Sequence, residues 1–384
     1  MKSKRTMLYQ LLAKTIITAL ILTGANAQAK KRVSHHKYSV PVIKNKIAFK
    51  RNMLTSKYAS WGISPFNNKS SINLENAWER FKEEKKEIVV AVIDTGIDPN
   101  HNFLAKNIFL HNGKISQNRF GLDFSKNSKN KFRPIDTHGH GTHVSGIIKS
   151  VYPDVKLLVL KYFNPEASGK DNLNSTIEAL RYAVNAGVDI INYSGGGPEP
   201  ALEELRILKI AEKKGILIVA ASGNEESNID IKSNAYYPAS YGLSNIVTVS
   251  AYDENLNILA ASNYGKHSVD IFAPGYRIKS SLPNNRSGYR TGTSQATAFV
   301  SGVAAMIKAE HPKSTAHELK NFLISSAQKE ANFVGKCRTG GRVDASAALR
   351  LANKYYDTKT KRSLANKSNL PHKQQGKIHY RIAN

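Results

Sequence analysis

The chain has 384 residues, 41% of them hydrophobic and 22% charged, which is a globular rather than a disordered composition. Its one cysteine, Cys337, excludes an internal disulfide and a multi-cysteine metal site. The net charge of +27 invites a nucleic-acid reading, but the excess sits in the ends: four Lys/Arg in 1–27, nine in 28–58, and eight against one acid in 352–384.

At the N-terminus, Lys2, Lys4, Arg5 and Lys14 flank a short apolar run at 15–22, and Ala25-Asn26-Ala27 is a small-residue cleavage pattern. Residues 1–27 therefore read as a signal peptide, cut near Ala27, and the protein is expected to be secreted, to the extracellular space or the periplasm. An uncleaved anchor is the alternative, although the run is short for a bilayer span. Residues 28–58 read as a basic arm or short pro-segment. Residues 59–351 read as one folded domain, and 352–384 as a basic, flexible tail.

Within the domain, 88–93 is a continuous β-branched run without polar alternation, the pattern of a strand covered on both faces. Similar runs recur at 155–162, 188–193, 216–221, 246–251 and 269–273. Between them, 174–186 sets Ile177, Leu180, Ala183 and Val184 on one helical face and stops at Gly187; 202–214 stops at Gly215. Helices are expected again at 295–310, 316–326 and 344–353. The prediction is an α/β three-layer sandwich with a mostly parallel central sheet flanked by helices. In such sheets functional residues gather at the carboxyl ends of strands.

Asp94 follows the first run and precedes Thr95-Gly96. It can orient an imidazole, or simply cap the turn. His140 opens a helix, from which it can project into a cleft. His138, His140 and His143 also suggest a metal cluster, but the Glu and third ligand of helical zinc motifs are missing, and His143 suits a buried ring tied to backbone. Ser294 is either a helix N-cap or a nucleophile in the positive field of a helix N-terminus. Gly292 beside it lets backbone come close to a substrate carbonyl. Asn224, in the turn after 218–221, can donate its side-chain amide to an oxyanion. Together these supply a nucleophile, a base, an orienting acid and an oxyanion donor.

These segments resemble the subtilisin-like serine proteases: Asp94-Thr95-Gly96-Ile97-Asp98, His140-Gly141-Thr142-His143-Val144, Ile191 through Pro198, Ala221-Ser222-Gly223-Asn224-Glu225 and Gly292-Thr293-Ser294. The order Asp, His, Ser is the subtilisin order. The resemblance implies an exported serine endopeptidase with the triad Asp94, His140 and Ser294, an acyl-enzyme intermediate and an oxyanion hole assisted by Asn224. It makes His140, rather than His143, the base. It implies that Ser194, Gly195 and Gly196 form an edge that pairs with substrate backbone, and that Ala221, Ser222 and Gly223 line the pocket for the residue before the cut bond. A cis Tyr237-Pro238 bond is a further implication.

Four positions depart from the family pattern. Ala298 replaces a usual Pro. Residues 28–58 are short for a folding-assistant prodomain. Gly195 replaces a larger residue, which is expected to empty part of the pocket rim and loosen specificity. Phe103 stands at a usual calcium-ligand position, which puts structural calcium there in question; no cofactor is needed for catalysis. The expected partners are protein or peptide substrates and, through the basic ends, anionic surfaces. No specific nucleic acid is expected, and the chain is expected to be a monomer.

Overall fold

The computed structural model describes residues 53–67 and 69–368. The predicted signal at 1–27 and most of the arm at 28–58 lie outside the described residues. The strands are β1 (Val89–Asp94), β2 (Ile108–Phe109), β3 (Leu122–Asp123), β4 (Lys156–Lys161), β5 (Ile190–Tyr193), β6 (Leu217–Ala221), β7 (Ile246–Tyr252), β8 (Ile271–Pro274), β9 (Ile278–Leu282), β10 (Arg286–Arg290), β11 (Gln328–Lys329) and β12 (Gly341–Arg342). The α-helices are α1 (Leu74–Arg80), α2 (His140–Val151), α3 (Gly169–Ala186), α4 (Leu202–Lys213), α5 (Thr293–Glu310), α6 (Ala316–Ser325) and α7 (Ala345–Ser368).

Ten strands form one sheet in the order β11-β12-β8-β7-β6-β5-β1-β4-β2, with β3 also on β4. Its central pairings are parallel, and only the β11–β12 pair is antiparallel. β9 and β10 form a separate antiparallel hairpin.

The uninterrupted apolar runs follow from burial on both sides. In β1, Val90 and Val92 join a core with Val144 and Ile147 of α2 and Phe299 and Val303 of α5. Ala91 and Ile93 point the other way, toward Leu180 and Val184 of α3 and Leu208 of α4. Sheet and two helical layers thus make the expected three-layer sandwich. Each fully buried Val or Ile adds about 1.5–3 kcal/mol over an exposed one.

Helix limits differ from the sequence pattern where caps decide them. α3 begins at Gly169, ahead of the predicted 174, because Ser168 Oγ accepts from Asp171 N at 3.1 Å and closes the N-terminus. It ends at Gly187 with φ 68°. The C-terminal boundary at 351 needs correction. α7 runs on to Ser368, Ala352 is fully buried, and the Tyr355 and Tyr356 hydroxyls each donate to Glu318 of α6 at 2.8 Å. The two tyrosines extend the docking begun by buried Ala348, Leu349 and Ala352 into a stretch that composition marks as a tail. At the other end the packed body begins before residue 59: Met53 lies in the main core and Tyr58 is buried.

Candidate active site

β1, β5 and β6 are neighbours in the sheet, and their carboxyl ends carry Asp94, Ser194 and Ala221. Asp94 is 3% exposed. Its Oδ1 accepts from Thr95 N at 2.7 Å and from His140 Nδ1 at 2.7 Å. With Nδ1–H committed to Asp94, the neutral His140 ring keeps Nε2 bare and able to accept a proton. Burial pulls the His140 pKa down, but the Asp94 charge and hydrogen bond outweigh it, and the net shift is upward.

The helix start that carries His140 is pinned by a buried carboxylate, Asp136, that sequence reasoning missed. Asp136 Oδ1 accepts from Thr95 Oγ1 at 2.8 Å and Gly139 N at 2.6 Å; Oδ2 accepts from Thr142 N at 2.9 Å and Thr142 Oγ1 at 2.6 Å. Thr95 Oγ1 in turn accepts from Gly141 N at 2.9 Å. A Cβ at Gly141 would meet the Gly96 carbonyl at 2.2 Å, so only glycine lets α2 approach the end of β1 this closely. The sequence signal was an Asp just ahead of a helix, where a negative charge satisfies the free N–H groups.

Ser294 is the second residue of α5 and 7% exposed. Its Oγ donates to the Ser194 carbonyl at 2.8 Å, not to His140. Asn224 is exposed; its Oδ1 accepts from Thr293 N at 3.0 Å and Thr293 Oγ1 at 3.3 Å, which turns the amide group and leaves its Nδ2 donors for another acceptor. Asn192 ties the edge to α5: its Nδ2 donates to Ser194 Oγ at 2.7 Å and its Oδ1 accepts from Ser301 Oγ at 2.9 Å.

Ala221, Ser222 and Gly223 close β6 beside Asn224, and Ala221 and Ser222 are buried. A second missed residue, buried Asn263, organises this turn. Its Nδ2 donates to Ser222 O at 2.9 Å and Glu225 Oε2 at 2.6 Å, and its Oδ1 accepts from Glu225 N and Ser227 N. Nothing local in the sequence marks an Asn so far down the chain as its partner.

On the opposite side, Gly197 and Tyr237 pair through two backbone hydrogen bonds, and Tyr237-Pro238 is cis. The expectation for Gly195 is corrected. A Cβ there would lie 2.6 Å from the Tyr162 hydroxyl, so Tyr162 occupies the space that the missing side chain would vacate. A cavity of about 660 Å³ continues beyond this edge, with Tyr162, Leu173, Gly196 and Tyr237 among its walls.

His143 does not face the cleft. Its Nε2 lies 3.0 Å from the Ile278 carbonyl and 3.3 Å from that of Gly288, so the ring donates to β9 and β10. Among the described residues no group of three or more His, Cys, Asp or Glu is placed to hold a metal ion. Phe103 does not fit a calcium ion either. Its ring stacks on Tyr58 at 4.5 Å, the Lys149 ammonium stands over that ring at 4.5 Å, and the same ammonium donates to the Phe103 carbonyl. A cation of the protein thus sits against both the ring and the carbonyl of Phe103.

The sequence model of the Subtilase family matches residues 85–364. The chain belongs to the subtilase family. It is 35% identical over 244 residues to the major intracellular serine protease of Bacillus subtilis (strain 168), spanning 61% of this chain and 72% of that protein. It is 32% identical over 276 residues to subtilisin BL of Lederbergia lenta, spanning 68% of this chain and 91% of that one. Among solved structures, a protease from Pseudoalteromonas arctica PAMC 21717 aligns with a TM-score of 0.60 at 24% identity, covering 76% of this chain and 97% of the other, a likeness of fold. This subtilase is thus a serine-type endopeptidase that acts on protein substrates.

Proposed function

We propose that the chain is an exported serine endopeptidase whose nucleophile is Ser294, whose base is His140 and whose orienting acid is Asp94. The observation that carries the assignment is the 2.7 Å bond from His140 to buried Asp94, which leaves Nε2 as the acceptor; it is supported by Ser294 bonding the Ser194 carbonyl beyond β5 and by Asn224, beyond β6, bonding Thr293. Substrate backbone pairs along Ser194 to Gly196 as an added strand. The N–H of the residue before the cut bond takes the Ser194 carbonyl and displaces the Ser294 hydroxyl now bonded there.

Ser294 Oγ, freed to turn toward His140, attacks the substrate carbonyl carbon as Nε2 takes its proton. Asn224 Nδ2 and the Ser294 N–H hold the oxyanion. As the tetrahedral intermediate collapses, His140 returns the proton to the leaving amine and an acyl-enzyme remains; water, deprotonated by His140, releases it. Asp94 stabilises the imidazolium formed in each half. No metal takes part. Ala221, Ser222 and Gly223 receive the side chain before the cut bond.

Export rests on the signal-like pattern of residues 1–27; no helix among the described residues is long and apolar enough to cross a membrane. The protein acts as a monomer, and its basic ends contact anionic surfaces. A groove in which Lys354 and Lys361 of the C-terminal end join Arg80, Lys82 and Arg350 of the body, with Asp357 as its one acid, supports the last point. The test of the site is Ser294→Ala. Casein hydrolysis and labelling by a serine-directed phosphonate are expected to vanish while circular dichroism and melting temperature hold. Retained hydrolysis by that variant removes the assignment.

A further inference from the structure

Arg290 ends β10, four residues before Ser294. It is half-buried, and its Nη2 donates to the His138 carbonyl at 2.6 Å. A Cβ built on Gly139 would lie 3.2 Å from the same Nη2, so the guanidinium lies against the backbone that leads into His140. Its Nε is buried with no hydrogen-bond partner. The Arg290 charge also opposes protonation of both His138 and His140, which places it within electrostatic reach of the base.

The side of the cleft follows from the chemistry. His140 hands its proton to the leaving amine, so the residue after the cut bond sits beside His140, away from the Ser194 to Gly196 edge. Arg290 is on that side. The segment that carries it is basic, since residues 275–292 hold Arg277, Lys279, Arg286 and Arg290 and no acid; the carboxylates that meet it from elsewhere are already engaged, Asp98 Oδ2 accepting from Asn284 N at 2.8 Å and Asp136 Oδ1 from His138 N at 3.1 Å. Arg277 and Lys279 lie over the Tyr289 ring, and Arg286 Nε donates to the Pro283 carbonyl. None of the four has an ion-pair partner among the described residues. The opposite wall carries carboxylates, with Glu199 by the cavity and Glu225 folded over Gly223. The buried Nε is closed to a ligand, but Nη1 is not buried and makes no hydrogen bond among the described residues, and a charged N–H of this kind is completed by a carboxylate.

We propose that Arg290 is a specificity-determining residue that binds the acidic side chain of the residue after the cut bond, so that the enzyme favours bonds followed by Asp or Glu. This rests on the triad assignment above. The test uses quenched fluorescent peptides that differ only in the residue after the cut, Glu, Ala or Lys, all amidated at the C-terminus, with the cut position read by mass spectrometry. The wild-type kcat/KM for the Glu peptide is expected to exceed that for the Lys peptide by about tenfold or more at low salt, and by less as salt screens the contact. Arg290→Gln brings the ratio to about twofold or less, and Arg290→Glu inverts it. Because the ratio is taken within each variant, a general loss of activity divides out. A wild-type ratio near one, or a ratio kept in Arg290→Gln, overturns the proposal even when Ser294→Ala is inactive. Hydrolysis by Ser294→Ala overturns the triad assignment and this proposal together.

Discussion

Asp136 never touches substrate in the proposed mechanism, yet it binds the start of α2 through both oxygens and, through Thr95, the end of β1 that bears Asp94. It is a positioning residue for the His140–Asp94 pair. Asp136→Ala is expected to lower kcat by about 10²-fold with little change in KM, the size of effect that a misplacement of about 1 Å produces. Steady-state kinetics on one peptide separates the two constants; a rise in KM alone would assign Asp136 to binding instead. Asn263 holds the pocket turn in a comparable way, through four hydrogen bonds to residues 222–227. Asp136 carries a local signal, an Asp just ahead of a helix, but its link to Thr95 and Asn263's link to Ser222 each reach 41 positions along the chain and were not visible in the sequence. Asp94, His140, Ser294 and Asn224 were visible because each stands next to its own strand end or helix start.

At the scale of elements, one carboxylate gathers the hydrogen bonds between α7 and α6, beside the Phe322 ring that meets Tyr355 and Tyr356. Glu318 closes the Thr315 capping box and also accepts from the two tyrosines of α7. Burial would raise its pKa, but the Thr315 N–H and the tyrosine hydroxyls hold it at about 2. Glu318→Ala removes all of these acceptors at once. A loss of about 1–2 kcal/mol is expected, a few degrees in melting temperature, with faster proteolytic cutting inside 352–368. A melting temperature and a cutting rate equal to wild type would show that α7 is held elsewhere. The runs behind β1, β4, β5, β6, β7 and β8 were legible because a strand covered on both faces must be apolar throughout. The start of α7 was legible too, but its continuation beyond 353 was not, because Tyr355 and Tyr356 meet a partner 37 and 38 residues earlier.

Across the whole molecule, acid stability is tied to His143, which joins α2 to the β9–β10 hairpin. Burial lowers its pKa to about 3, and its Nδ1 has no partner, so the native ring stays neutral. An unfolded His takes up a proton near pH 6.5. Above that pH the two states bind protons alike at this site. As pH falls from 6.5 to 3 the unfolded state gains a proton that the native state refuses, and stability is lost, by about 3–5 kcal/mol from this site. Urea unfolding at pH 7, 5 and 4 is expected to give a steeper decline for wild type than for His143→Gln; parallel declines would remove His143 as the cause. The three-layer plan itself was readable, but long-range contacts were not: Tyr162 filling the space beside Gly195, and Lys149 standing over the Phe103 ring, are facts of the assembled chain. One consequence concerns α5, every residue of which is buried. A helix so enclosed has no local route to fraying, and its amide hydrogens exchange with solvent only when the entire body opens. Ser294, the proposed nucleophile, rides on that helix. Catalytic activity therefore switches off with the fold as a whole, and a heated sample should contain fully competent or fully dead molecules with few in between.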